Sequence, residues 1–212
     1  MKSRKEGEGP SGGLGRVAGV ILAAGESSRM GQRKAFLRHE RTGATFLAHL
    51  VAESAAAGLS PVAVVGRGYD AELEGAARQA GANYVPNPRA AQGQLSSILA
   101  GLDSLDEQVS AMVVMPVDVP LVSASTIRRV AQAATEAGVC IARATHRGRH
   151  GHPVLFTRAV FDELRSADPA VGARVVVRAD PSRVRDVDVD EPGVIVDIDT
   201  PEDYFRAFGS RL

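Results

Sequence analysis

The chain has 212 residues, 44% of them hydrophobic, with 25 Lys and Arg set against 25 Asp and Glu, which suits one well-buried core and about one domain. A formal net charge of zero leaves no overall field to hold a polyanion and argues against nucleic acid as a partner. Cys140 is the only cysteine, so no intramolecular disulfide can form; with neither a signal peptide nor a bilayer-spanning apolar run legible, the expectation is a reducing cytoplasm and no membrane.

Residues 1–16, charged and glycine-rich, read as a disordered tail ahead of a domain over 17–212. The run from Val17 to Ala24 is short, apolar and branched, as in a buried parallel strand. Gly25 then ends it and lets a ligand approach the main chain, while Ser27, Ser28, Arg29 and Lys34 offer hydrogen-bond donors, so the loop is built to face an anion. It is not a P-loop, because five residues separate Gly25 from Gly31 and Gln32 follows, and the G-x-G-x-x-G dinucleotide fingerprint is also missing. The missing fingerprint argues against a nicotinamide-dependent oxidoreductase.

Beyond the loop, "TFLAHLVAESAAAGL" has helical spacing, "PVAVVG" reads as a strand, "DAELEGAARQAG" as a helix and "ANYVPN" as a strand. "GQLSSILAGLDSL" begins a helix, "SAMVVMPVDVP" is a strong strand, "SASTIRRVAQAATEAG" a helix and "VCIARATH" a strand. Such alternation predicts an α/β fold: a mostly parallel open sheet with helices on both faces, and ligands at the carboxyl ends of its strands.

Asp118 ends one such strand and precedes Pro120, which suits either a turn aspartate or an oxygen ligand for a hard cation such as Mg²⁺. Asp197 and Asp199, as strand neighbours two apart, point to one side. The stretch from Asp199 through Thr200 and Pro201 equally reads as the cap of a helix. Asp186, Asp188 and Asp190 read as a solvated strand face. Ser96 and Ser97 lie where a helix begins, as N-cap or as ligands of an anion. His150 and His152 flank Gly151 in a loop, too isolated for a zinc site.

Leu22 to Lys34 spells L-A-A-G-x-S-x-R-M-G-x-x-K, and with "NPRAAQGQLSSILAGL", "MPVDVPLV", "GRHGHPVLF" and "DIDTPEDY" it closely resembles the MobA-like nucleotidyltransferases. These are the molybdenum cofactor cytidylyl- and guanylyltransferases and their sugar-phosphate-activating relatives. The resemblance implies a Rossmann-like nucleotide-diphospho-sugar transferase (GT-A-like) fold. It implies nucleotide binding by Leu22, Ala23, Ala24, Gly25, Ser27, Ser28, Arg29, Gly31, Lys34, Asn87, Gly93, Ser96 and Ser97. It implies acceptor binding by His150, Gly151 and His152, and Mg²⁺ on Asp118 and Asp199. Val117 departs from the pattern, since many relatives carry glycine there.

The reaction implied is attack of an acceptor phosphate on the α-phosphorus of a nucleoside triphosphate, with pyrophosphate leaving and with Arg29, Lys34 and Asp118 as the catalytic groups. Ala24, where guanylyl-transferring relatives tend to carry a second glycine, leans towards CTP. With "GRHGHPVLF" it leans towards the members whose acceptor is molybdopterin. Another nucleotide, a sugar-phosphate-type acceptor, or a catalytically silent nucleotide-binding regulator are the alternatives.

Overall fold

A computed structural model describes residues 15–212. The tail expected over 1–16 lies outside the described residues as far as position 14, and Arg16 opens the first strand, held by Asp106 at 2.9 Å. The strands are β1 (Arg16–Leu22), β2 (Val62–Arg67), β3 (Asn83–Asn87), β4 (Val109–Pro116), β5 (Ile141–His146), β6 (Arg149–Thr157) and β7 (Val184–Asp188). The helices are α1 (Phe46–Ala56), α2 (Ala71–Gln79), α3 (Gln94–Asp103), α4 (Ala124–Gln132), α5 (Phe161–Ser166), α6 (Arg174–Ala179) and α7 (Pro201–Phe208).

The seven strands form one sheet in the order β3-β2-β1-β4-β6-β5-β7. Only β6 runs against its neighbours β4 and β5; the other pairings are parallel. Strands buried on both faces must be apolar throughout, and successive side chains then serve opposite cores. In β4, Val113 and Met115 pack towards the layer holding Phe46, Leu50, Ile127 and Tyr204, whereas Met112 and Val114 pack towards Ile98, Leu102, Phe161 and Val176. Helices therefore cover both faces.

The helix starts follow from side chains that accept otherwise orphaned amide hydrogens. Thr45, Asp70, Ser123 and Thr200 cap α1, α2, α4 and α7, the last in a reciprocal box with Asp203. No helix among the described residues is long and apolar enough to cross a membrane.

Two expectations are corrected here. His150, Gly151 and His152 belong to β6 and not to a loop, because Arg147 and Gly148, both at positive φ, make the two-residue turn of a hairpin from β5. Asp197 and Asp199 do not lie in a strand: a short 3-10 turn over Pro192–Ile195 precedes them, and the segment then runs irregularly into Thr200.

Candidate active site

The carboxyl ends of β1, β2 and β4 open onto a cleft of about 600 Å³, whose walls include Ala23, Gly25, Ser27, Lys34, Tyr69 and Asp118. Between Ala23 and Gly25, Ala24 is turned inward and buried. The loop after β1 is held by the amides of Met30 and Gly31, which both donate to the Ser27 carbonyl, and by the Lys34 amide, which donates to Ser27 Oγ at 3.2 Å. Ser27, at φ 53°, and Gly31, at φ 72°, take the left-handed conformation. Gly25 takes no positive φ, and a Cβ there would meet nothing within 4 Å, so its value is open space beside the backbone. The amides of residues 24–29 donate to no protein acceptor among the described residues, which leaves a run of free donors of the kind that forms an anion-binding nest.

Lys34 is the hub. Its ammonium donates to Asp118 Oδ2 at 2.9 Å and also pairs with Asp199 Oδ1, while Arg29 Nη2 reaches Asp199 Oδ2 at 2.8 Å. Burial works against the lysine's charge, but the hydrogen bonds and charges of Asp199 and Asp118 outweigh it and raise its pKa. The Lys34 hydrogen bond in turn holds the Asp199 carboxyl below its ordinary range. Asp197 is pushed the other way, by burial first and then by the charges of Asp118 and Asp199.

Asp199 reaches the cluster because the amide of Ile198 donates to the Asp118 carbonyl at 2.8 Å and the fully buried Ile198 side chain anchors the segment. Thr200 performs the capping of α7, with the Asp203 carboxylate accepting from the amides of Asp199 and Thr200. The carboxylate of Asp199 is thereby left to the cluster, so the capped helix and the clustered carboxylate coexist. Among the described residues no three His, Cys, Asp or Glu side chains are gathered into a ready-made cation cage. Asp118 and Asp199 nevertheless offer two oxygens on one cationic point, a donor set that suits a hard divalent ion taking its other ligands from phosphate oxygens and water.

Asn87, Ser96 and Ser97 are brought together but turned inward. Asn87 Nδ2 donates to Ser96 Oγ at 2.9 Å and to Ser97 Oγ at 3.0 Å, and Ser96 Oγ donates to the carbonyls of Gly93 and Arg89. All three side chains are buried, so they fix the loop over 88–93. Neither serine caps α3. The N-cap is Gly93, at φ 97° and ψ −179°, a conformation essentially restricted to glycine.

A second cavity, of about 450 Å³, lies along β6 and is lined by His150, Gly151, His152 and Asp197. Burial lowers the pKa of His152, opposed by the Asp118 carboxylate, and its Nδ1 is buried without a partner. Gly151 serves packing: a Cβ there would lie 1.9 Å from the Val194 carbonyl oxygen. His150 instead stands at the rim, 2.9 Å from Arg143 Nη2 and 3.3 Å from Asp186, so the aspartates of β7 face solvent with Asp186 paired.

The sequence reading missed the groups that follow β2, namely Arg67, Tyr69 and Asp70, which line the cleft with Arg33. Their position at the carboxyl end of a parallel strand was the available signal. It also missed Arg174 and Arg178 on the wall of the second cavity.

Residues 19–186 match the family model described as the MobA-like NTP transferase domain. The chain is 26% identical to the molybdenum cofactor cytidylyltransferase of Escherichia coli K12 over 189 residues, 89% of this chain and 93% of that protein. It is 32% identical to the bifunctional protein GlmU of Anaeromyxobacter dehalogenans over 133 residues, 61% of this chain, and spans only 27% of the length of that relative. Among solved structures it superposes on Rv0371c of Mycobacterium tuberculosis H37Rv with a TM-score of 0.77 at 27% identity, covering 93% of this chain and all of that one. Rv0371c has also been solved in complex with manganese, with a TM-score of 0.70 to this chain. A nest of free amides, a lysine between two carboxylates at the strand ends, and a family match from strand β1 to strand β7 agree: the chain belongs to the MobA-like NTP transferase family and is a nucleotidyltransferase.

Proposed function

We propose that this chain transfers CMP from CTP to the phosphate of molybdopterin, releasing pyrophosphate, with Mg²⁺ as its metal and the reducing cytoplasm as its setting. The observation that carries the reading is Lys34 held between Asp118 and Asp199 at the mouth of the Gly25 to Gly31 loop. The likeness to the cytidylyltransferase of Escherichia coli over nearly the full length of both chains supports the base and acceptor. The manganese complex of Rv0371c supports a divalent ion.

In this reading the free amides of the loop and the hydroxyls of Ser27 and Ser28 bind the triphosphate, and Arg29 forks onto its β- and γ-oxygens. The walls formed by Leu22 and Ala23, with Ala24 packed behind them, and by the loop that Asn87, Gly93, Ser96 and Ser97 fix shape the base site. His150 and His152 flank the acceptor. An acceptor phosphate oxygen forms the new bond to the α-phosphorus as the bridge to the β-phosphate breaks, its electron pair leaving with pyrophosphate. Lys34 neutralises the charge that gathers on the reacting phosphate, so no nucleophilic side chain is needed. Asp118 and Asp199 would hold the Mg²⁺, whose chemistry is charge neutralisation and orientation of the phosphates.

The test is pyrophosphate release with molybdopterin and each of CTP, GTP, ATP and UTP. The expected result is a kcat/KM for CTP at least about tenfold above GTP, the range one methyl group in a tight site supplies. Equal use of GTP refutes the cytidylyl reading, and no release with any nucleotide refutes the acceptor. Asp118→Asn, which keeps shape and removes charge, should lower turnover by at least about a hundredfold; unchanged turnover removes Asp118 from the metal site.

A further inference from the structure

The cleft at the ends of β1, β2 and β4 has two unlike sides. Strand β1 stands between the other two, so Lys34 and Asp118 mark the β4 side, and the segment from Arg67 to Asp70 marks the β2 side. On the β2 side Arg67 pairs with Glu26 at 2.9 Å, and Arg33 forks onto Asp70 and onto Glu72, the latter at 2.7 Å. Three carboxylates thus answer two guanidiniums. That balance leaves no spare positive charge for a triphosphate and suits the uncharged, nucleoside end of a nucleotide.

Tyr69 stands on this side as the one aromatic side chain lining the cleft among the described residues. At 83% exposure it is also the barest large apolar side chain among them. Its main chain is nevertheless fixed on both flanks. Gly68 turns through the left-handed conformation at φ 56°, its amide donates to the Asn87 carbonyl at 3.0 Å, and its carbonyl accepts from the Tyr84 hydroxyl at 2.7 Å. Asp70 accepts from the Leu73 amide at 3.1 Å as the cap of α2 and is paired with Arg33. A single exposed apolar residue is ordinary on a surface, but this ring is held out at the lip of a ligand cleft by a backbone that is already ordered. A flat side chain with two torsions, so placed, loses little freedom when a flat ligand covers it.

Resting on the reading of this cleft as the nucleotide site, we infer that Tyr69 is the stacking surface for the nucleobase. The base lies on its ring at the β2 side, next to the loop that the Asn87 side chain holds, and the triphosphate runs back across the end of β1 towards Lys34. Every base has a π-face, so this contact sets affinity for the nucleoside and leaves the choice of base to the other walls of the site.

Calorimetric titration of the chain with CTP and with tripolyphosphate tests this without any turnover. Tyr69→Ala should weaken CTP by about fivefold to a hundredfold, the range of one base stacked on an aromatic ring, and leave tripolyphosphate unchanged. Tyr69→Phe keeps the ring and should bind both as wild type does. The chain has no tryptophan, so Tyr69→Trp supplies a direct reporter, whose fluorescence CTP should quench and tripolyphosphate should not. The side chain is exposed, so all three variants should unfold with wild type. Undiminished CTP binding in Tyr69→Ala, an equal loss for tripolyphosphate, a loss in Tyr69→Phe as large as in Tyr69→Ala, or a Tyr69→Trp signal blind to CTP overturns the inference. A wild type that binds GTP or ATP in place of CTP refutes the cytidylyl reading instead, and the same variants then judge Tyr69 on the nucleotide that binds.

Discussion

Replacing Lys34 by methionine keeps the length of the side chain and removes its charge, and the structure fixes what should follow. The lysine side chain is 11% exposed and its partners Asp118 and Asp199 are 27% and 28% exposed. Exposed ion pairs contribute about 0.2–1 kcal/mol, whereas breaking a fully buried one costs about 3–5 kcal/mol. A half-screened cluster that leaves two carboxylates facing each other falls between, at about 2 kcal/mol, or roughly 4–8 °C in unfolding temperature for a chain of this size. The same change frees Asp118 and takes from Asp199 one of its two cationic partners, Arg29 remaining, so both carboxylates become more available to a cation. Adding Mg²⁺ or Mn²⁺ should therefore raise the unfolding temperature of Lys34→Met more than that of wild type, since an ion at about a hundred times its dissociation constant returns about 2.7 kcal/mol. Turnover should fall mainly through kcat, because a cation beside the reacting phosphate strengthens as charge develops. Thermal unfolding with and without metal is the assay. A variant that melts with wild type, or that gains no more from the ion than wild type does, refutes the reasoning that Lys34 competes with a metal ion for the carboxylates of Asp118 and Asp199.

Gly151→Ala puts a methyl group 1.9 Å from the Val194 oxygen, so the turn over Pro192–Ile195 must retreat. A loss on the order of 1–3 kcal/mol in denaturant unfolding is expected, with reduced turnover as Asp197 and Asp199 shift with the turn; wild-type stability would show that the contact is slack. His39 is buried against Phe46, His49 and Phe208, and burial, then the charges of His49 and Arg41, lower its pKa to about 4. The unfolded chain takes up this proton from about pH 6.5 downwards and the folded chain only near pH 4. Stability should therefore decline across that window by on the order of 3 kcal/mol, and His39→Phe should flatten the decline. An unchanged pH profile in His39→Phe would assign the loss to other groups. Thr200→Ala removes the cap of α7 and should cost about 1 kcal/mol, measured as a lower urea midpoint; no shift would mean that Asp203 caps alone.

The half of the molecule around the loop after β1 was legible because each of its signals is local. Val17 to Leu22 is apolar at every position, Thr45, Asp70 and Ser123 announce the helices that follow them, and Asp118 emerges where a parallel strand ends. The half around β6 hid behind misleading local chemistry. Gly151 and Pro153 suggest a loop, yet β6 pairs with strands on both sides, and glycine is there because Val194 crosses against it. Val175 to Val177 are strand-formers, yet they fold as helix α6 with Val176 packed into the core. "VIVDID" alternates as a strand should, and still turns, because Val194 crosses over Gly151 of β6 instead of pairing along it and the Ile198 amide pairs with the Asp118 carbonyl. Asn87, Ser96 and Ser97 resembled ligand groups, but only the folded chain shows that they spend their hydrogen bonds on one another.

The lysine cluster also has a timetable. Asp118 lies 84 residues beyond Lys34 in sequence and Asp199 lies 165 beyond it. At ribosomal speeds of about 5–20 residues per second, the first ion pair can close roughly 4–16 seconds before the second carboxylate exists. During that interval a nascent chain already owns the loop, the cleft and one acid, but lacks the group that orients both Arg29 and Lys34. On the proposed roles of Asp118 and Asp199, catalytic competence is thus deferred until residues around 199 have left the exit tunnel and Ile198 has docked beside Asp118. The strand that makes the cleft is among the earliest pieces synthesised, and the ability to split a triphosphate in it is among the last acquired.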